Sequence, residues 1–272
     1  MKSRQSSFGP WMVAVIVVAA AVAAGVFIWR KGLHGVEQPP APTLVSTTAA
    51  PSTSSSVIQH PISEAAPAPA STAPLPSLEG SDATVADALT QLGGDGLAGL
   101  LLREQIIPRI VATVDALPSR GVATHILPLH TPQGAFAVNP ADGRATLAQR
   151  NAERYAPYMR VVEQVDAGKA VAWYVRYYPL FQQAYRDLGY PHGYFNDRLV
   201  AAIDNMLATP QVSAPVELVR TDTYYLFADP SLQSLSAGQK LLLRMGPENA
   251  AKLKAKLREI RTALVSHSPL RG

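Results

Sequence analysis

Ten consecutive positions bring together several kinds of side chain that could do chemistry. Gly189-Tyr190-Pro191-His192-Gly193-Tyr194-Phe195-Asn196-Asp197-Arg198 gathers an imidazole, a carboxylate, a guanidinium and two phenols around two glycines and a proline. An imidazole paired with a carboxylate is the minimum for general acid/base transfer, so His192 and Asp197 define one reading, a hydrolase or transferase. Tyrosine joins an apolar body to a polar tip and suits contact with peptide or glycan. Tyr190, His192, Tyr194, Asp197 and Arg198 therefore define a second reading, a turn that contacts a partner. Asn196 and Asp197 also have a plainer use, since short polar groups near a helix start satisfy its free backbone donors.

The remaining signatures favour the binding turn over catalysis. No Gly-x-Ser-x-Gly elbow, Ser-x-x-Lys pair or Gly-x-x-x-x-Gly-Lys loop occurs, which removes the common local marks of acyl and phosphoryl transfer. No catalytic residue is assigned. Cysteine is absent, excluding disulfides, cysteine zinc sites and thiol catalysis. His125, His130 and His192 could converge on a metal with Asp197, but no His-Glu-x-x-His pair puts two ligands on one helical face, so no metal or other cofactor is expected. Gly94-Asp-Gly-Leu-Ala-Gly99 has the letters of a dinucleotide fingerprint. That motif needs a preceding strand, and here a helix precedes it, so it reads as a stop between helices.

These groups must be positioned by a mainly α-helical domain. Ser81 or Asp82 caps a first helix through Leu92, stopped by Gly93-Gly94. A second region runs from Leu97 towards Leu117, where Pro108 either kinks a helix or sits in the first turn of a new one. Leu117 to Arg144 is loop-like with a short strand at 135–138. Helices return over 147–165 and 169–188, the latter bent at Pro179. On it Trp173, Tyr177 and Phe181 recur every fourth residue, a spacing that reads as core. All ten tyrosines lie between Tyr155 and Tyr225. After the 189–193 turn comes an amphipathic helix with Phe195, Leu199, Ile203, Met206 and Leu207 on one face. Val216 to Val219 and Thr223 to Phe227 form a small β-ribbon. Helices over 236–245 and from Pro247 close the chain, the last with Leu253, Leu257, Ile260 and Leu264 inward. Its Lys252, Lys254, Lys256, Arg258 and Arg261, with Lys240 and Arg244, make a basic end: a solvated face by default, with lipid headgroups as the alternative and no nucleic acid.

Ahead of the domain lie 19 uncharged residues, Trp11 to Trp29. As a helix they span about 28 Å, close to a bilayer core, and a tryptophan stands at each end. A cleaved signal peptide is the competing reading, from Lys2, Arg4 and Ala21-Val22-Ala23. Val26-Phe27-Ile28-Trp29 continues the apolar run past that cut, which favours a signal anchor. Residues 36–78 contain nine prolines, thirteen serines or threonines and eight alanines among 43 positions, with no lysine or arginine. Such a stretch has too little apolar surface to offset ordering and reads as a disordered tether. The organisation expected is a short cytoplasmic tail (1–10), a transmembrane helix in the lipid bilayer (11–29), a tether (36–78) and a helical periplasmic domain (79–272).

Three segments carry a resemblance: Arg109-Ile-Val-Ala-Thr-Val-Asp-Ala-Leu-Pro118, Pro179 through Arg198, and Gly238-Gln-Lys-Leu-Leu-Leu-Arg-Met-Gly-Pro-Glu-Asn249. Together they resemble the bacterial family known as domain of unknown function 3014, over most of residues 79–265. The resemblance implies a Gram-negative, membrane-anchored protein and carries no activity, cofactor or partner with it. The sequence as a whole predicts a single-pass inner-membrane protein with a periplasmic binding or scaffolding module, meeting an envelope protein or cell-wall component through Tyr190, His192, Tyr194, Asp197 and Arg198. The alternative is an envelope hydrolase or transferase using His192 and Asp197. Fractionation tests the anchor: the full chain should stay in the membrane pellet after alkaline extraction, and a chain beginning at Val36 should not. A full-length chain in the soluble fraction would remove it.

Overall fold

The computed structural model describes residues 58–62, 74–141, 144–212, 215–222 and 224–266. The tail at 1–10, the span at 11–29 and most of the tether at 36–78 lie outside them. Among the described residues no helix is long and apolar enough to cross a membrane.

The chain builds α1 (Asp82–Ala98), α2 (Ile106–Ala116), β1 (Val138–Ala141), β2 (Arg144–Leu147), α3 (Arg150–Glu153), α4 (Ala156–Gln164), α5 (Ala167–Asp187), α6 (Phe195–Leu207), β3 (Glu217–Arg220), β4 (Tyr225–Phe227), α7 (Pro230–Gln233), α8 (Ala237–Arg244) and α9 (Pro247–Ser266). Helix α5 is the hub. Ala170, Val171, Trp173, Tyr174, Tyr177, Phe181 and Ala184 are all buried along it, and α2, α6 and α9 pack against it. The Trp173 stripe is core, as its spacing predicts: Trp173 lies 5.3 Å from Tyr177 and meets Phe181 edge-on at 5.6 Å. On α9, Leu253, Leu257, Ile260 and Leu264 are buried as expected, each contributing roughly 2 kcal/mol of transfer free energy.

Local polar chemistry sets where these helices begin. The Asp166 side chain accepts the Lys169 N–H and starts α5. Ser236 and Gln239 form a reciprocal capping box at α8. Ser81 precedes α1 but makes no cap bond with its side chain; its hydroxyl donates to the Leu78 carbonyl. Asp82 reaches elsewhere, accepting the N–H groups of Gln105 and Ile106 at 2.7 and 2.9 Å and so capping α2 from α1. Pro108 stands in the first turn of α2, where its missing donor is not needed, so the helix restarts there.

Four boundaries differ from those expected. Helix α1 continues past Leu92 to Ala98 across a kink at Gly94, whose φ of +62° favours glycine. The single helix expected over 147–165 is two, broken at Arg154-Tyr155 with Pro157 opening α4. The strand expected at 135–138 lies at Val138–Ala141 and turns back as β2. The expected ribbon is only half of the sheet: β3 pairs with β4 and also with β2, giving a four-stranded antiparallel sheet in the order β1-β2-β3-β4. The β2–β3 pairing joins Ala145 with Leu218 and Thr146 with Glu217, more than 70 positions apart, which local patterning cannot reveal.

Replacing Asp82 by Ala should cost about 1–2 kcal/mol in chemical denaturation, since it strips two N–H acceptors from the start of α2. Asp87→Ala, on the exposed face of the same helix, should cost under about 0.5 kcal/mol.

Candidate functional site

The turn before α6 is held by a clip that its own sequence does not contain. From α5, the Gln182 side-chain oxygen accepts the Phe195 N–H at 2.9 Å and the Tyr178 hydroxyl at 2.8 Å, while its nitrogen donates to the Gly193 carbonyl at 2.8 Å. Tyr185 and Tyr190 stack at 4.6 Å and leave Gly193 no room for a side chain: a Cβ there would lie 2.7 Å from the Tyr185 ring. A second clip comes from α2. Asp115 accepts Nε of Arg198 at 2.8 Å on one carboxylate oxygen and the Tyr190 hydroxyl at 3.1 Å on the other. Its backbone carbonyl also accepts a guanidinium N–H of Arg198 at 2.5 Å.

What lies on this turn comes from the tether. Within the stretch expected to remain disordered, residues 58–62 lie against α6. The Asp197 carboxylate accepts the Gln59 N–H at 2.9 Å on one oxygen and the His60 N–H at 2.7 Å on the other. Asn196 Nδ2 donates to the His60 carbonyl at 2.8 Å, and the Tyr194 hydroxyl accepts the Ile62 N–H at 2.6 Å. Ile62 also packs against the hydrophobic core, as do Leu75 and Leu78.

The family described as "Protein of unknown function (DUF3014)" matches residues 106–261, more than half of the chain. The chain belongs to this family. Comparison with curated proteins and with solved structures gives no match. Asp115, Gln182 and the whole 189–198 turn fall inside the DUF3014 region, whereas the docked segment at 58–62 falls before it.

The DUF3014 region therefore brings the five residues singled out by sequence to one surface in unequal roles. Tyr190 is exposed at 41% and His192 is exposed beside it. Tyr194 and Asp197 are half-buried and hold the segment; Arg198 is half-buried and tied to Asp115. Asp197 does not cap its own helix, because Tyr194 occupies the cap position and α6 has no side-chain cap bond. The acid/base pairing of His192 with Asp197 is not formed either: both carboxylate oxygens of Asp197 face backbone amides. Sequence reasoning missed Asp115 and the 59–62 backbone, brought in from a distance, and Gln182 on the preceding helix; Asn196, read as a helix cap, is instead buried and donates to the His60 carbonyl. Among the described residues no three His, Cys, Asp or Glu side chains gather as a metal site. The Gly94–Gly99 run lies within and just after α1 and follows a helix, not a strand.

Beneath the turn, polar groups are buried in an aromatic core. Tyr178 is raised well above the ordinary tyrosine range, first by burial and then by its hydroxyl bond with Tyr194. Tyr174 is also raised, by burial ahead of the charges of Tyr178, Tyr194 and Asp197. The Tyr174 hydroxyl and Asn196 Oδ1 are buried without a hydrogen-bond partner.

Elsewhere the basic end is largely engaged on the domain. Lys252 pairs with Glu163, Lys256 with Glu259, and Arg261 with Asp204. Lys254 donates to the Thr209 carbonyl at 2.6 Å. That lysine and Arg244 are the two charged residues lining a cavity of about 620 Å³ between the sheet and α8–α9, bounded also by Thr146, Leu147, Val212 and Leu242.

Buried tyrosines make the fold alkali-sensitive. Tyr155 and Tyr158 are both pushed up to about 12, chiefly by burial. A tyrosine in the unfolded chain ionises near 10, so the contribution is complete below that pH and is lost as pH rises from about 10 to about 12. Denaturation midpoints should hold up to pH 9.5 and fall by pH 11.5, together with delayed tyrosinate absorbance. A flat profile over that window would contradict the burial argument.

Proposed function

We propose that this DUF3014 protein is a membrane-anchored binding or scaffolding module of the bacterial cell envelope. Residues 11–29 would anchor it in the inner membrane, the domain at 79–272 would stand in the periplasm, and the Tyr190–Arg198 turn would contact an envelope protein or cell-wall component. The observation that carries the reading is the bidentate capture of two successive backbone N–H groups by Asp197. A carboxylate that accepts main-chain amides from a segment more than 130 residues away recognises a peptide backbone. The same two bonds occupy the group that a hydrolase would need as its acid or base, so no observation favours catalysis here.

The test uses the full-length chain in cells. A photo-crosslinking residue in place of exposed His192 should capture a discrete envelope partner. Asp197→Ala with Arg198→Ala should lower that yield several-fold while circular dichroism shows the domain folded. A folded double variant that recovers every partner at the wild-type level would remove the turn from the binding surface.

A further inference from the structure

The segment on the turn behaves as a ligand, and its chemistry describes what the site accepts. Four hydrogen bonds hold it through its backbone: N–H of Gln59, N–H and C=O of His60, and N–H of Ile62. Between the last two donors stands Pro61, which has no N–H to leave unmet. Side-chain recognition is concentrated at Ile62, packed against the core. The receptor side is built for this role by Tyr194, Asn196 and Asp197, with Asn196 fully buried and Gln182 fixing the turn from behind. One acceptor in the site is left over. Asn196 Oδ1 is buried and meets no donor, although its partner nitrogen is bonded to the segment.

We infer that the notch formed by Tyr194, Asn196 and Asp197 is a receptor for an extended peptide strand of a partner protein, and that Ile58–Ile62 is its resident occupant in cis. The strand it fits presents two successive N–H groups, then a proline, then an aliphatic side chain; a donor reaching Asn196 Oδ1 would bind better than the chain's own segment. This rests on the reading of the turn as a partner contact and adds both the ligand class and its control. Only eleven residues separate Ile62 from Pro74, so the resident segment competes at a high effective concentration, on the order of mM for a short connection. An incoming strand meets a site whose free fraction is small, and its apparent affinity falls by that fraction.

The probe is a fluorescein-labelled peptide with the sequence of residues 56–64, titrated by anisotropy into the full chain in detergent. Gln59→Pro with His60→Pro removes both N–H groups from the resident segment without touching the domain. The peptide should bind that variant at least ten-fold more tightly than the wild-type chain. Adding Asp197→Asn, which sets an amide NH₂ against one of the incoming N–H groups, should cancel the gain. Amide hydrogen exchange of residues 58–62 in the otherwise wild-type chain should quicken at least ten-fold in Asp197→Asn. Equal peptide binding to wild type and the double-proline variant, absence of binding to both, or unchanged exchange would each overturn the inference. A wild-type dimer that the double-proline variant converts to monomer would overturn cis occupancy, placing a second copy's segment in the notch. If the peptide fails while the living-cell crosslink persists and depends on Asp197, the envelope-binding reading stands and this one falls.

Discussion

The central helix α5 must be buried along most of its surface, and the rest of the domain follows from that demand. It carries Trp173, Tyr174, Tyr177, Tyr178, Phe181 and Tyr185 in a little over three turns. No single neighbour can cover so wide an aromatic stripe, so α2, α6 and α9 each take a side. Phe195, the first residue of α6, stacks on Phe181 at 5.7 Å with an interplanar angle of 10°. That contact places the start of α6 over α5, and with it the turn that bears the candidate site.

The site is thus an extension of the core and not an addition to a loop. Gln182 sits one residue beyond Phe181, where it can reach the Gly193 and Phe195 backbone. Tyr185 floors the same turn by stacking on Tyr190. A side chain at position 193 would separate these groups, which explains the glycine on contact grounds alone. From the opposite side, Asp115 ties Arg198 and Tyr190 to the end of α2. Both clips reach the turn from other helices, Gln182 from α5 and Asp115 from α2, so the turn keeps its shape only while the helices stay packed.

Asp82 and Asp197 answer one physical problem in two ways. Each is a carboxylate in the first turn of a helix that accepts two adjacent backbone N–H groups from a distant segment. Asp82 receives the opening of α2, a helix built into the core through Ile106, Ile107 and Ile110; its bond is structural because α2 has nowhere else to go. Asp197 receives a segment in which no residue is fully buried: His60, Pro61 and Ile62 are half-buried and Ile62 packs against the core. The bonds are alike, and the burial behind them differs. That difference separates a cap from a binding site.

Helix identity and inward faces were legible in the residues, because periodic apolar spacing is a local property of the chain. The inward row of α9, the aromatic row of α5 and the amphipathic α6 appear where their spacing puts them. The 189–198 turn was also visible, through its glycines, its proline and its crowded polar groups. The sheet was legible only as the β3–β4 ribbon, since β1 and β2 join it through a pairing across more than 70 positions. Tertiary structure alone decided what the turn does. Asp115 and the backbone at 59–62 converge on it from two remote parts of the chain, with Gln182 reaching over from the preceding helix, and a backbone N–H carries no mark in a sequence because every residue except proline has one.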